Sequence, residues 1–434
     1  MFQGQPEVFT GKPGPTFHMT DQTSILDVFH KMVDAEFVDM LVDETNRYAT
    51  QKLHKMTLHN TLAPHSRLRR WTPTDRAEMY SFLAVLILQG LFPLPEEEFY
   101  FKHNGFGTMQ YFRCIMTYDR FYLLKSLMHF IDDDTAEKSS KTWRVDRVVD
   151  YFNTKFSSLY YPSKEIVVDE SLLKWSGRLN FAQKISSKAA GVGVKTYELC
   201  ESSTGYLWKC ILYAGKQTQR SHSQTLATDN TTGDTTHTQN EDWLVGTTLG
   251  THTQDEASDR LLKTTHTQDE ALDRLVGATH TQDEESDRLV GDWLVGTIHS
   301  QDDTTHTHDE ASDRLVGSSD DLRPGNATAL IVYQLVEPLL HLGHTLIMDN
   351  FYNSPLLARC LKRQKTDVFG TLRLNREFVP DTFKTLTKSD LRHGEVLFSY
   401  CSDVMVMVWR DSNLVGMIST YHRMRIGVAQ NYNR

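Results

Sequence analysis

The sequence predicts a mixed α/β fold, in which a helical region precedes a sheet-forming region and a long repeat interrupts the sheet. Three observations predict it. Apolar residues recur at helical spacing before residue 160, short β-branched runs appear after residue 161, and acidic repeats of 14 residues fill 219–325. The chain has 434 residues, of which 39% are hydrophobic, enough for two or three domains with buried cores.

The first 160 residues divide into a tail and a helical region. Residues 1–23 are rich in Gly, Pro, Thr and Gln and predict a flexible tail. Residues 24–160 predict a helical N-terminal region, with apolar stripes as core-packing faces. Its elements are a stripe formed by Phe29, Met32, Val33, Phe37, Met40 and Leu41, a helix from Thr72–Asp75 through Met79–Leu91, and a helix over Arg120–Phe130.

The sheet-forming region falls into three parts. Residues 161–218 predict three consecutive strands, 326–376 predict helix, strand and helix, and 377–434 predict three more strands. The strands are Glu165–Val168, Val192–Cys200, Gly205–Tyr213, His344–Met348, Val396–Tyr400, Val404–Trp409 and Leu414–Thr420; the helices are Ala327–Leu342, bent or ended near Pro338, and Pro355–Arg363.

The interruption is a degenerate tandem repeat. Thr-His-Thr-Gln-Asp-Glu begins at Thr251, Thr265 and Thr279, and each unit offers few aliphatic residues among many charges. Residues 219–325 therefore predict a disordered, low-complexity insert. Positions 219–322 hold 22 acidic and 6 basic residues, which leaves 34 acidic and 40 basic residues elsewhere. The net charge of −10 thus hides a basic remainder compatible with nucleic-acid binding.

Composition argues against several protein classes. Five cysteines without a CxxC pair argue against a disulfide scaffold and a cysteine zinc site. The longest apolar stretch, residues 82–92, is too short to cross a bilayer, so we expect no membrane partner.

Two aspartates each end an apolar strand, Asp169 after Val167–Val168 and Asp349 after Leu346–Met348. A charge at the end of a buried strand is costly unless it is solvated, paired or bound to a cation. Two strands of one sheet could bring these carboxylates together, which suits Mg²⁺ or Mn²⁺ and phosphoryl transfer. The residues alone leave open that both aspartates are strand-end caps or turn formers.

Many motifs, in order, resemble the piggyBac transposase family from about residue 26 to the end, excluding the repeats. They are Glu44–Ala49, Trp71–Pro73, Arg120–Phe121, His129–Phe130, Asp169–Ser171, Gly177–Arg178, Lys188, Gly193–Lys195, Thr204–Tyr206, Met348–Ser354, Gly370–Arg373 and Asn375–Arg376.

The resemblance implies a ribonuclease-H-like (DDE/D transposase) catalytic core. It places Asp169 and Asp349 as the first two catalytic aspartates, which would bind two Mg²⁺ or Mn²⁺ ions. The implied reaction is nicking of the transposon end, hairpin formation by the freed 3′-hydroxyl, and joining to a TTAA target.

The expected partner is double-stranded DNA, at transposon ends and the TTAA target, and the resemblance leaves a homodimer open. Basic residues near the two aspartates are the DNA-binding candidates: Arg178, Lys188, Lys195, Arg373 and Arg376. Nuclear localisation is implied by the resemblance alone. The resemblance also implies that residues 24–160 are the family's DNA-binding N-terminal region, and that residues 377–434 are the truncated, β-rich start of its insertion domain.

The family's third catalytic aspartate has no counterpart before Arg434. Loss of a metal ligand disrupts two-metal chemistry, so we expect this chain to be inactive in transposition. Two alternatives stay open: a DNA- or partner-binding protein retained from a transposase without catalysis, and a reading frame that continues past Arg434.

Overall fold

The computed structural model describes residues 4–102, 110–186, 188–215 and 327–423. The predicted insert at 219–325 and the last eleven residues, 424–434, lie outside these residues. The chain divides into two compact units, Pro15–Tyr160 and Met1–Gly14 with Tyr161–Arg434. In the described ranges, no helix is both long and apolar enough to span a membrane.

The Pro15–Tyr160 unit is helical, as the apolar periodicity predicts. Its helices are α1 (Ile25–Met32), α2 (Ala35–Leu58), α3 (Arg76–Leu91), α4 (Gln110–Ile115), α5 (Tyr118–Leu127) and α6 (Trp143–Leu159), with single 3₁₀ turns at Arg67–Arg70 and Glu97–Phe101. The predicted start of the third helix is confirmed, since the Asp75 side chain accepts a hydrogen bond from the backbone N–H of Glu78.

The first apolar stripe is divided between two helices. Asp34 interrupts it by capping α2, where its side chain accepts from the backbone N–H of Phe37. Phe37 and Leu41 are 6% and 2% exposed in the helical core. An aspartate at an N-cap accepts a hydrogen bond that the first turn of a helix cannot make internally, so the stripe yields two helices.

The other unit is built on one nine-stranded mixed sheet. Its strands are β1 (Glu165–Lys174), β2 (Gln183–Lys184), β3 (Val192–Glu201), β4 (Leu207–Leu212), β5 (Thr345–Met348), β6 (Asp367–Thr371), β7 (Val396–Cys401), β8 (Val404–Arg410) and β9 (Leu414–Ser419). The order is β2-β3-β1-β5-β6-β9-β8-β7, and β4 also pairs with β3. β1, β5 and β6 are parallel neighbours, and the remaining pairs are antiparallel.

Three helices accompany the sheet: α7 (Ala327–Val336), α8 (Pro355–Arg363) and α9 (Asp381–Lys384). Apolar residues of α7 and α8 share one core with the inner residues of β1, β3 and β5. Val332 and Leu335 of α7 are 0% exposed, which explains the uninterrupted apolar sequence of that helix. The predicted α/β fold class, with a helical region before the sheet, is confirmed.

The last three strands extend the same sheet. β9 pairs antiparallel with β6, with Ile418 opposite Gly370, and β8 and β7 follow outwards. The resemblance assigns residues 377–434 to an insertion domain, and the three strands of this segment therefore extend the sheet that contains β1 and β5.

The N-terminal residues contact this sheet unit. The backbone N–H of Thr10 donates to the Leu342 carbonyl at 3.0 Å, and that of Glu7 donates to Asp367 Oδ2 at 2.7 Å. Lys362 Nζ lies 2.8 Å from Glu7 Oε1 and 2.7 Å from Asp367 Oδ1. The flexible tail proposed for 1–23 stays a prediction, although residues 7–10 make these specific contacts.

Gly370 fixes the spacing where β6 passes the end of β5. Its φ is +146°, and an added Cβ would lie 1.9 Å from the carbonyl oxygen of Met348. The Asn353 amide nitrogen would be 2.8 Å away. Only glycine can take both this conformation and this close backbone approach.

We expect Gly370→Ala to lower the free energy of unfolding by more than about 3 kcal/mol, because backbone strain and a backbone clash add. Gly205→Ala is the matched control, since Gly205 also has a positive φ of +70° but has open space at the Cβ position. The control should lose only about 1–2 kcal/mol. Equal losses in denaturant unfolding of both variants would contradict the clash.

Candidate active site

The pairing of β1 with β5 brings the two predicted aspartates together. In the parallel register, Val168 lies opposite Met348, and the next residue of each chain segment is Asp169 or Asp349. Asp169 is exposed and Asp349 is half-buried. Asp349 follows the end of β5, as predicted, but the prediction that Asp169 ends its strand is wrong, because β1 continues to Lys174 through its pairing with β3. The two carboxylates are close enough for the charge of Asp169 to raise the pKa of Asp349.

The turn after β5 is held by its own hydrogen bonds. Asp349 Oδ1 accepts from the backbone N–H of Phe351 at 2.9 Å. Asn353, which is fully buried, donates through Nδ2 to the carbonyls of Met348 at 2.7 Å and Thr371 at 2.9 Å. The Asn353 side chain therefore ties the end of β5 to the end of β6, which fixes the turn that bears Asp349.

The electrostatic environment of Asp349 disfavours its charged form. Burial, together with repulsion by Asp169 and Glu170, raises the pKa of its carboxyl to about 6, although the N–H donors of Phe351 and Tyr352 lower it. A bound divalent cation would reverse this balance, since it compensates the charges that repel one another.

Glu170 is a site residue that sequence reasoning missed. Its Oε2 accepts from the Tyr352 hydroxyl at 2.7 Å, and Lys195 Nζ and Lys188 Nζ lie 3.8 Å and 4.0 Å from its carboxylate. Tyr352 is 2% exposed, and burial, followed by the charge of Glu170, raises the pKa of its phenol. The hydrogen bond links the strand bearing Asp169 to the turn bearing Asp349. The sequence offered one indication of this pair, because Glu170 directly follows Asp169 and Tyr352 lies three residues after Asp349.

Four of the five basic candidates contact this site. Lys195 Nζ lies 4.9 Å from the Phe351 ring centroid, besides its contact with Glu170. Arg373 Nε donates to Asn350 Oδ1 at 2.9 Å, and Arg376 Nη2 donates to the Asn350 and Phe351 carbonyls at 3.2 and 2.5 Å.

The fifth, Arg178, is exposed and makes none of these contacts. Lys188, Lys195, Arg373 and Arg376 thus stabilise the Asp349 turn or Glu170. That any of the five binds DNA stays a prediction.

The carboxylates partly meet the needs of a divalent cation. Asp169 and Asp349 offer hard oxygen ligands at one edge of the sheet. Glu198 lies opposite Asp169 on β3, but its oxygens accept from Ser171 Oγ at 2.7 Å and Thr196 Oγ1 at 2.6 Å. Among the described residues, no three His, Cys, Asp or Glu side chains are grouped to hold a metal. The donor set fits a cation held by two carboxylates and further oxygen ligands.

We expect Asp349→Asn to stabilise the metal-free protein at pH 7.5 by up to about 3 kcal/mol. The folded-state pKa of about 6 lies above the usual 3.8, and one pKa unit corresponds to about 1.4 kcal/mol. The stabilising effect of a protonated Asp349 is fully present below pH 4 and is lost as the pH rises through 6. Unfolding in EDTA at pH 4 and 7.5 measures this difference, with Asp381→Asn, on an 87% exposed side chain, as control. If the variant is no more stable than the wild type at pH 7.5, the raised pKa of Asp349 would be contradicted.

We expect Tyr352→Phe to lower the free energy of unfolding by about 1–3 kcal/mol, because Glu170 loses a hydrogen-bond donor in a half-buried position. Chemical denaturation measures the change. Tyr111→Phe, on an 80% exposed residue, is the control and should have no effect. Combining Tyr352→Phe with Glu170→Gln should restore part of the loss, since the amide is uncharged. Additive losses in the double variant would count against the coupling.

Comparisons with known proteins identify the family and the fold of this chain. The family described as Transposase IS4 matches residues 25–235 and 305–434. Human PiggyBac transposable element-derived protein 2 is 24% identical over 190 residues, 43% of this chain and 29% of that protein. A cryo-EM structure of a piggyBac transposase synaptic complex with hairpin DNA matches with a TM-score of 0.58 at 16% identity, and covers 95% of this chain and 64% of that one.

The chain spans less than two thirds of either relative, and the structural match supports the fold. The family match covers well over half of the chain, on both sides of the repeats. The chain therefore belongs to the Transposase IS4 family and is of the piggyBac type.

Proposed function

We propose that this protein is derived from a piggyBac-type DNA transposase, binds double-stranded DNA, and holds Mg²⁺ or Mn²⁺ between Asp169 and Asp349. The observation that supports this most directly is the β1–β5 register, in which Asp169 and Asp349 directly follow the paired residues Val168 and Met348 of neighbouring parallel strands. The solved relative contains hairpin DNA, in agreement with a DNA partner.

Asp169, Asp349 and the bound cations would have different roles in the site. Bound cations would supply Lewis-acid activation of a phosphodiester and charge compensation for an attacking hydroxyl. Asp169, exposed at the sheet surface, would hold the side of the site open to a DNA phosphate. Asp349, fixed by Asn353 and Phe351, would hold the same cation in a constant position. Nicking, hairpin formation and joining at TTAA are proposed for the intact transposase from which this chain derives.

Cation binding tests the proposal without requiring turnover. We expect Mn²⁺ to bind the purified chain, as measured by loss of the free-ion paramagnetic resonance signal, and to bind at least about tenfold more weakly to Asp169→Asn. Asp381→Asn, on an exposed side chain of the same unit, is the matched control and should bind like the wild type. Equal binding by all three proteins would rule out the Asp169–Asp349 site.

A second candidate is a DNA-binding protein without catalytic activity. It is favoured by a basic cleft in the helical unit, whose lining residues are distinct from the two aspartates. A strand-transfer assay with Mg²⁺ on a piggyBac end substrate distinguishes the two. We expect DNA binding but no joined product from these 434 residues, and a joined product would refute the inactive form. Nuclear localisation and a homodimer also stay proposals, testable by imaging of the tagged protein and by sedimentation.

A further inference from the structure

β7 forms one edge of the nine-stranded sheet. Among the described strands it pairs only with β8, antiparallel and in a continuous register from Val396–Trp409 to Cys401–Val404. An edge strand directs a row of backbone N–H and carbonyl groups away from its own sheet, and these groups can pair with a further strand. The outer side of β7 is therefore a hydrogen-bonding surface that the sheet itself does not use.

The pairing with β8 determines which residues of β7 direct their backbone groups outwards. The N–H of Arg410 donates to the Glu395 carbonyl at 2.9 Å, directly beside the register pair of Val396 and Trp409. Hydrogen-bonded and non-hydrogen-bonded pairs alternate along an antiparallel ladder, so the Val396–Trp409 pair exchanges no such bonds. Val396 and, two residues further on, Phe398 therefore direct their N–H and carbonyl groups to the outer side.

β7 has none of the features that usually prevent two sheet edges from pairing. Its six residues include no charged residue and no proline, and its register with β8 has no bulge. Natural edge strands are commonly protected by lysine, proline or a bulge. Leu397 and Tyr400 are 36% and 38% exposed, so hydrophobic side chains are exposed on both faces of the strand. A regular, uncharged edge of this kind suits the addition of a strand.

An apolar cluster continues up to this edge. Val396 and Phe398 pack on one face of the sheet with Met405, Met407 and Met417. Phe398 is only partly buried in this cluster, although the three methionines are at most 4% exposed. A further strand beside β7 would cover the Phe398 ring and extend the cluster across the new contact.

We infer that β7 is an interaction surface for a second copy of this chain, and that two β7 strands pair antiparallel with Leu397 at the centre. In this register Val396 of one copy exchanges both backbone hydrogen bonds with Phe398 of the other, and a two-fold axis repeats the pair. The two exposed Leu397 side chains then lie opposite one another and bury each other.

A second copy fits this edge because the segment is complementary to itself. β7 carries no charge, so antiparallel pairing places no like charges opposite each other within the strands. The exposed Arg392 lies before the strand and Asp403 lies after it, so the same pairing brings Arg392 of one copy towards Asp403 of the other. Because the contact is two-fold, it occupies the edge of both copies and closes at a dimer.

The inference rests on the homodimer proposed above and goes further by naming its surface and register. It requires neither a bound cation nor DNA. A contact between two short strands buries less area than a standard protein interface, so the dimer should be weak and should form only as the protein concentration rises.

Sedimentation of the full chain tests the inference, in EDTA and without DNA, at protein concentrations from about 1 to about 100 μM. We expect the wild type to change from monomer to dimer over this range. Leu397→Lys should raise the dissociation constant at least about tenfold, because a lysine on an edge strand opposes its own copy in the pairing. Leu397→Val should keep the dimer, since valine is apolar and suits a strand.

The matched control introduces the same lysine at another exposed leucine. Leu91, at the end of α3, is 67% exposed and belongs to the helical unit. Leu91→Lys should dimerise like the wild type.

Amide hydrogen exchange of the wild type gives a second measurement, which stays decisive if Leu397→Lys unfolds. The outward N–H groups of Val396 and Phe398 should exchange more slowly at high than at low protein concentration, because pairing protects them. A contact made by side chains alone would leave their exchange unchanged.

The outcomes separate the β7 surface from the proposed function. A dimer that Leu397→Lys leaves intact, or exchange at Val396 and Phe398 that does not depend on concentration, would overturn the β7 pairing and leave the homodimer in place. Equal loss of the dimer in Leu91→Lys would also overturn it, as would assemblies that grow beyond a dimer. A wild type that stays monomeric throughout would overturn both the pairing and the homodimer, but not cation or DNA binding.

Discussion

The parallel pairing of β1 with β5 is the contact on which the rest of the site depends. It aligns Val168 with Met348 and therefore places Asp169, within β1, beside Asp349, at the residue after β5. A shift by one residue would turn one carboxylate to the opposite face of the sheet, because side chains alternate along a strand. The buried Ile166, Val168, Leu346 and Met348, each no more than 1% exposed, oppose such a shift by their packing.

The surroundings of Asp349 combine rigidity with unfavourable electrostatics. Asn353 and Gly370 join the ends of β5 and β6 at close range, while Tyr352 joins the Asp349 turn to Glu170 on β1. Repulsion between Asp349 and the neighbouring carboxylates raises its pKa, in addition to the effect of burial. Electrostatic repulsion of this kind is common at sites that bind a cation or carry out a reaction, although the protein alone would be more stable without the repulsion.

The basic residues serve two distinct purposes. Lys195, Arg373 and Arg376 contact the Asp349 turn through ring, amide and carbonyl groups. Arg67 and Arg70 instead share Asp119 at an open cleft of the helical unit. A cation whose donors are directed at its own chain has fewer left for phosphate, so proximity to an aspartate is a weaker guide to DNA contact than open exposure beside other cations.

The sequence by itself determined the elements and the two carboxylates. Helical periodicity, β-branched runs and an aspartate after each apolar strand are local patterns, which predicted the α8 helix, the late strands and the positions of Asp169 and Asp349. Only the tertiary structure decided that Glu170 receives the Tyr352 hydroxyl, that β9 continues the sheet beside β6, and that Arg67, Arg70 and Asp119 meet beside Lys52. These contacts join residues far apart in the chain, and no local pattern encodes them. They arise from strand order and helix packing, which bring such residues within a few ångströms of one another only in the folded chain.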